Sequence, residues 1–252
     1  MAKAFRIFYA FGEQRPALSL SEIARASGMG VSAAQRFVHT LHRLGYLRKD
    51  ERTRRYRLAV KLLDLSFLYQ RSNALTEIAM HDLARLVDGA RESVHMVERD
   101  GTEIVYLVRL PRREVRFAPG VIGTRMPAFC TCGGRAMLSA LPDEEAMALI
   151  RQSDLRPLTP RTETHPPVIL QRVQEARHLG YALVDGESLI GEIGVAAPVF
   201  DYGGAPVAAV GITVPTARCT PQEVRERLAP MVMDTARVIS RALGDLRAFT
   251  GS

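Results

Sequence analysis

The chain has 252 residues, is 47% hydrophobic and carries a formal net charge of +7 at pH 7. That length allows one large domain or two ordinary ones. No stretch approaches the ~18 uncharged apolar residues of a membrane span, and the N-terminus lacks the apolar core of a secretory signal. Three cysteines, an odd number, argue against a disulfide framework and for a reducing cytoplasm. The charge is concentrated: residues 1–65 hold 13 Lys/Arg against 5 Asp/Glu, and the remainder 21 against 22. A basic first quarter joined to a neutral remainder points to a polyanion-binding module attached to a part with another job.

In chain order, spacing predicts a first helix over residues 3–13, with Ala4, Ile7, Phe8 and Phe11 on one face. Phe5 and Tyr9 fall on another face, where they either pack under a loop or meet a second copy of the chain. A second helix begins at Ser19, whose spacing to Glu22 is that of a capping box. Gly28 supplies the left-handed residue that ends it. The third helix is the candidate DNA reader. Ser32 is expected to cap it, with Gln35 three residues on. Ala34, Phe37, Val38, Leu41 and Leu44 form its expected buried stripe. Ser32, Ala33, Gln35, Arg36, His39, Thr40 and Arg43 then face outward. Such a face either reads bases, Gln on adenine and Arg on guanine, or is an ordinary solvated one.

Residues 48–57 (RKDERTRRYR) place six cations in ten residues around a predicted hairpin with its tip at 50–53. A helix-turn-helix followed by a basic hairpin is a winged arrangement, and Ser19, Arg52, Arg54 and Arg55 are its candidate phosphate contacts. His39 and His42 have i, i+3 spacing, but no Cys, Asp or Glu shares their face to complete a metal site.

Residues 60–88 read as helix with a break at 71–73 that carries no Pro or Gly, so a helical link is expected rather than a floppy one. From Glu92 the period changes to two. Residues 93–98 and 103–109 read as a hairpin about a turn at 99–101, and a third strand is expected over 114–118. Helices are predicted over 133–141, 143–151 and 168–179, strands over 182–184, 194–200 and 207–214, and a long final helix from Pro221. An antiparallel sheet with flanking helices is an α+β, ligand-sensing architecture.

No G-x-S-x-G elbow, H-E-x-x-H, P-loop or dinucleotide fingerprint occurs, so neither an enzyme nor a cofactor is expected. Cys130 and Cys132 are the reactive-looking pair, since a thiolate at a helix start has a lowered pKa. Three readings stand: buried structural thiols, a redox or metal sensor that also uses Cys219, or a thiolate enzyme. The helix start at 131–134 offers free N–H groups and a positive dipole end to a carboxylate. The alternative there is a glycine pair needed only for tight packing.

The motifs 18–24 (LSLSEIA), 45–47 (GYL), 56–58 (YRL), 123–127 (GTRMP), 134–138 (GRAML), 180–181 (GY) and 195–201 (VAAPVFD), with the Arg36 helix, resemble the IclR family of bacterial transcriptional regulators in kind and order. The resemblance spans nearly the whole chain. It implies a winged helix-turn-helix DNA-binding domain over 1–59, a linker helix over 60–73 and a GAF-like effector-binding domain over 74–252. It also implies palindromic double-stranded operator DNA, dimers or tetramers, and an organic acid effector. By position, it puts a carboxylate-facing helix start at Cys132 and Gly133, and a sheet wall at Gly194, Gly211 and Thr213 with Val184 nearby.

Two departures stand out. Ser32-Ala33 replaces a frequent Ser-Thr pair, and glycines stand at 194 and 211 where small polar residues are common. Those glycines are expected to enlarge the pocket and favour a bulkier, flatter ligand. Segments 101–106, 127–131 and 180–185 are similar to the branch that senses aromatic acids such as hydroxybenzoates and protocatechuate. That likeness implies an effector such as 4-hydroxybenzoate, its ring against Met126, Phe129 and Ile193 and a hydroxyl at His95, Thr131 or Thr213.

Overall fold

The computed structural model describes residues 2–112 and 122–245. It divides into two compact units, one running to Ala74 and one starting at Leu75. In the first, α1 (Ala2–Phe8), α2 (Leu20–Ala26) and α3 (Val31–Arg43) precede a hairpin of β1 (Leu47–Lys49) and β2 (Tyr56–Leu58), and α4 (Leu62–Ser72) follows. The first helix is shorter than its apolar spacing suggested, because the chain turns at Gly12 and bridges to Arg15. The Ser19–Glu22 capping box forms, and Gly28 takes a φ of +66° after α2. Ser32 does not cap α3: Gly30 is the N-cap, and Ser32 lies inside the helix. Of the expected stripe, Ala34 is buried, Val38 and Leu41 are buried in a small core with Ile7, Ile23 and Leu47, Phe37 packs half-buried against it, and Leu44 is exposed. No residue of α4 is buried.

The second unit opens with α5 (Ala74–Ala90), separated from α4 by Asn73. Its sheet has the order β5-β4-β3-β8-β7-β6, every neighbouring pair antiparallel. The strands are β3 (Ser93–Asp100), β4 (Glu103–Leu110), β5 (Arg125–Pro127), β6 (Ala182–Asp185), β7 (Glu192–Phe200) and β8 (Pro206–Pro215). The strand expected over 114–118 lies outside the described residues.

Period-two alternation sends one set of side chains to each face. Met96, Ile193, Val195, Val210 and Ile212 pack with α5 and the C-terminal helix. That helix begins at α9 (Pro221–Glu223), widens into a π turn at Val224–Leu228 and continues as α10 (Ala229–Ala242). On the other face, Val97, Ile104, Ala196 and Ala209 pack under α6 (Cys132–Ser139), α7 (Asp143–Gln152) and α8 (Pro166–Leu179).

Two features fix α6 on its face. Glycines at 133 and 134 allow contact: a Cβ on Gly133 would lie 2.6 Å from Val97 Cγ2, and one on Gly134 would collide with the Ala128 backbone. The second is a buried ion pair. Arg135, 1% exposed, donates to both carboxylate oxygens of Glu187 at 2.7 and 2.6 Å and to the Phe129 carbonyl at 2.8 Å. Arg172 donates to the same carboxylate at 2.6 Å. Removing one member of a buried pair costs about 3–5 kcal/mol, because the other charge stays desolvated. Glu187→Gln should lower the urea unfolding free energy of this unit by that amount. Asp185→Asn, which disrupts only the exposed Arg161 pair, should cost less than about 1 kcal/mol.

Candidate functional site

The third helix presents Ser32, Gln35, Arg36, His39, Thr40 and Arg43 to solvent, with Ala33 half-buried beside them. Thr40 donates to the Arg36 carbonyl, 3.0 Å away. At the hairpin tip, Asp50 accepts from the backbone N–H groups of Arg52 and Thr53, and Arg54 sits at φ +57°, so Arg52 and Arg54 project outward. Two of the expected phosphate-binding residues are already engaged within the fold. Arg55 donates to the Ala17 carbonyl at 2.9 Å and pairs with Glu22 at 3.1 Å, which ties the hairpin to α2. Ser19 caps α2. His42 bonds the Leu47 carbonyl through Nδ1 at 3.0 Å, and no group of three metal-ligating side chains occurs among the described residues.

The second site is a cavity of about 190 Å³ between the α6 start and the sheet. Of the residues expected there, His95, Met126, Thr131, Cys132, Gly133, Val184, Gly194 and Thr213 line it. Three do not. Phe129 is wholly buried in the core under α6. Ile193 precedes Gly194 on β7 and so points to the opposite face, against α5 and α10. Gly211 is covered by the His95 ring. A Cβ there would lie 2.5 Å from His95 Nε2, and one on Gly194 would lie 2.7 Å from Cys132 Sγ. The two glycines therefore seat His95 and Cys132 and do not enlarge the cavity.

Sequence reasoning missed Tyr106, Arg109, Ser188 and Glu192, which also line the cavity. The cause for Arg109 is a β-bulge. Met96 pairs with Val108 but Val97 with Tyr106, so Leu107 is an extra residue on β4. Tyr106 and Arg109, three apart, thus share one face. An unbulged hairpin places Arg109 on the opposite face from Tyr106, so no local signal marks it.

Thr131 caps α6, accepting from the Gly134 N–H at 3.3 Å and donating to the Pro127 carbonyl at 3.0 Å. The N–H groups of Cys132 and Gly133 open the helix beside the cavity. Burial pushes the Cys132 and Cys130 thiols up to about 12, so neither is a thiolate at neutral pH, and the redox- or metal-sensing reading finds no support. Burial, against the nearby Arg109 charge, holds the Glu192 carboxyl above its ordinary range.

The His95 imidazole lies 3.9 Å from Cys132 Sγ and 5.5 Å from the Tyr106 ring centroid. Burial, and secondarily the Arg109 charge, pushes it down to about 3. His95 is therefore a neutral hydrogen-bonding group.

The bacterial transcriptional regulator IclR C-terminal family matches residues 68–241, and the IclR helix-turn-helix domain matches residues 1–51. The chain belongs to the IclR family. It is a DNA-binding transcriptional regulator, and its relatives are regulators rather than enzymes. It is 30% identical to the Pca regulon regulatory protein of Pseudomonas putida, over 96% of this chain and 83% of that one. It is 32% identical to the p-hydroxybenzoate hydroxylase transcriptional activator of Acinetobacter baylyi, over 94% and 88%. Among solved structures, it is similar to a double mutant of the inducer-binding domain of PobR from Acinetobacter in complex with 3-hydroxybenzoic acid. That likeness has 30% identity and a TM-score of 0.61, over 65% of this chain and 96% of that one. No described helix is long and apolar enough to cross a membrane.

The buried neutral imidazole has a consequence for stability. Unfolded histidine titrates near 6.5, well above the native value of about 3. Below pH 6.5 the unfolded chain binds a proton that native His95 refuses, so the stability is complete above that pH and falls as pH drops toward 3. The slope from this one group reaches about 1.4 kcal/mol per pH unit. In urea titrations between pH 6.5 and 4.5, His95→Gln should flatten the profile by up to that amount.

Proposed function

We propose that the chain regulates transcription in response to an aromatic acid such as 4-hydroxybenzoate, bound in the cavity between α6 and the sheet. The observation that carries this is the fit of size and lining. A cavity of roughly 150 Å³ holds benzene, so about 190 Å³ takes one ring with small substituents. Ile104, Met126, Val184 and Leu189 give it apolar walls, and His95, Tyr106, Thr131, Thr213 and the α6 start supply polar groups for a carboxylate and a hydroxyl. The names of the Pseudomonas and Acinetobacter relatives, and the acid in the PobR domain, support the same chemistry.

Double-stranded palindromic DNA is the partner of the first unit. We infer that Gln35, Arg36, His39 and Arg43 meet bases or phosphates and that Arg52 and Arg54 meet phosphates. The working form is a dimer or tetramer. The exposed Phe5 and Tyr9 on and just beyond α1, and Leu63, Phe67 and Leu68 on α4, support contact with a second copy.

Thermal unfolding against benzoate, 4-hydroxybenzoate, vanillate, protocatechuate, pyruvate and glyoxylate tests the effector. A ligand at ~100 times its Kd adds about 2.7 kcal/mol, which raises the midpoint of a chain this size by roughly 5–10 °C. The hydroxylated aromatic acids should give that rise. A rise with the keto acids alone would refute the aromatic assignment and leave the regulator intact. DNA binding is tested on a mixed-sequence duplex. Arg52→Ala and Arg54→Ala each remove one cation from the phosphate backbone, and each should lower the slope of log K against log salt by about 0.9. Arg55→Ala should change the slope less, since that guanidinium already holds Ala17 and Glu22.

A further inference from the structure

Among the described residues, the cavity wall carries one guanidinium that meets an aromatic ring but has no ion-pair partner. Elsewhere in this unit Arg135 and Arg172 pair with Glu187, and Arg99, whose buried Nε also lacks a hydrogen-bond partner, donates through Nη1 to the Gly101 carbonyl at 3.0 Å. Arg109 lines the cavity, its guanidinium carbon stands 5.8 Å from the Tyr106 ring centroid, and its Nε is buried without a hydrogen-bond partner. A buried guanidinium N–H lacking an acceptor is costly, and the chain places no carboxylate within ion-pair distance of it among the described residues. The charge of opposite sign on the cavity wall is Glu192, which influences Arg109 through space but does not touch it.

Resting on the aromatic-acid reading above, we propose that Arg109 holds the effector's carboxylate, and that the α6 start receives the hydroxyl oxygen at the other end of the ring. The choice between the two donor ends follows from charge. A helix N-terminus carries about half an elementary charge, and Thr131 already satisfies the Gly134 N–H. A guanidinium carries a full charge and a planar fork matched to a carboxylate. The N–H groups of Cys132 and Gly133 can only donate, so they suit a neutral acceptor such as a phenol oxygen. The class of ligand follows: a monocarboxylate on an aromatic ring with an oxygen substituent opposite or next but one to it. A neutral amide or ester of the same shape leaves Arg109 unpaired and binds worse.

Titration calorimetry of the full chain with 4-hydroxybenzoate and with 4-hydroxybenzamide tests this, using wild type, Arg109→Gln and Glu192→Gln. In wild type the acid should bind at least tenfold tighter than the amide. Arg109→Gln should weaken the acid about 10- to 100-fold, as loss of a hydrogen bond to a charged group does, and bring the acid-to-amide ratio close to one. Glu192→Gln removes the opposing carboxylate from the cavity wall and should tighten the acid several-fold with no effect on the amide. This second variant works in the direction of gain, so a poorly folded Arg109→Gln does not decide the matter. If the acid binds wild type but keeps its preference over the amide in Arg109→Gln, or if Glu192→Gln leaves acid binding unchanged, the assignment of Arg109 is wrong and the aromatic-acid reading survives. If wild type binds neither the acid nor any other aromatic acid of the panel, that reading fails and this one with it.

Discussion

The second unit depends on how closely the start of α6 lies on the sheet. That approach is possible only because Gly133 and Gly134 lack side chains that would meet Val97 and the Ala128 backbone. Two further glycines, on the sheet, accept what α6 and β3 bring down: Cys132 Sγ over Gly194 and the His95 ring over Gly211. Close contact alone would leave a helix N-terminus unanchored. The Arg135–Glu187 pair supplies the anchor, since the residue after the glycine pair reaches across to the loop that follows β6. Such a pair adds little to net stability compared with a well-packed apolar substitute. It does fix the geometry, because both charges lose their solvation unless they meet.

The cavity's polar groups divide by charge state, and the division is set by burial. His95, Tyr106 and Cys132 are all pushed toward their neutral forms, as is Cys130 in the core behind them. A neutral imidazole and a neutral thiol next to a ring-sized space are suited to binding and poorly suited to catalysis, where a nucleophile needs its ionised form or an adjacent base. Cys132 and His95 are 3.9 Å apart, a spacing that suggests a nucleophile and base, yet the desolvation of both groups opposes the thiolate–imidazolium pair that such chemistry requires. This agrees with a family of regulators.

Much of this architecture was legible in the sequence. The capping box at Ser19, the turn glycine at 28 and the period-two runs at 93–98 and 194–200 are local signals, and each formed where the chain's own spacing put it. The failures share one cause, which is that local pattern does not report what lies across from a residue. The sequence pattern puts both Ile193 and Gly194 at the cavity, although neighbours on a strand face opposite ways. The spaces over Gly194 and Gly211 looked empty because the side chains that fill them come from residues 62 and 116 positions away in the chain. Arg109 was hidden by the bulge at Leu107, since strict alternation from Tyr106 turns it away from the cavity. Arg55 looked like one more cation of a basic run until its bonds to Ala17 and Glu22 placed it inside the fold.

A bound effector shifts a conformational equilibrium only through interactions that differ between the two states. Most of the cavity lining has little freedom to differ. The sheet residues are fixed by ladders on both sides of β3, β7 and β8, and the α6 start is held by its glycine packing and by Arg135. The stretch between Gly186 and Gly191 is different. Both glycines have positive φ, near +68° and +79°, Glu187 pins one end, and Leu189 and Ile190 are exposed. Ser188 and Leu189 from this stretch form part of the cavity wall. A ligand that touches them engages a glycine-flanked loop tied at its two ends, to Glu192 and to Thr216, rather than a strand ladder, and a coupling of 1–3 kcal/mol, the usual scale of allosteric linkage, amounts to no more than one or two hydrogen bonds made there in one state and broken in the other.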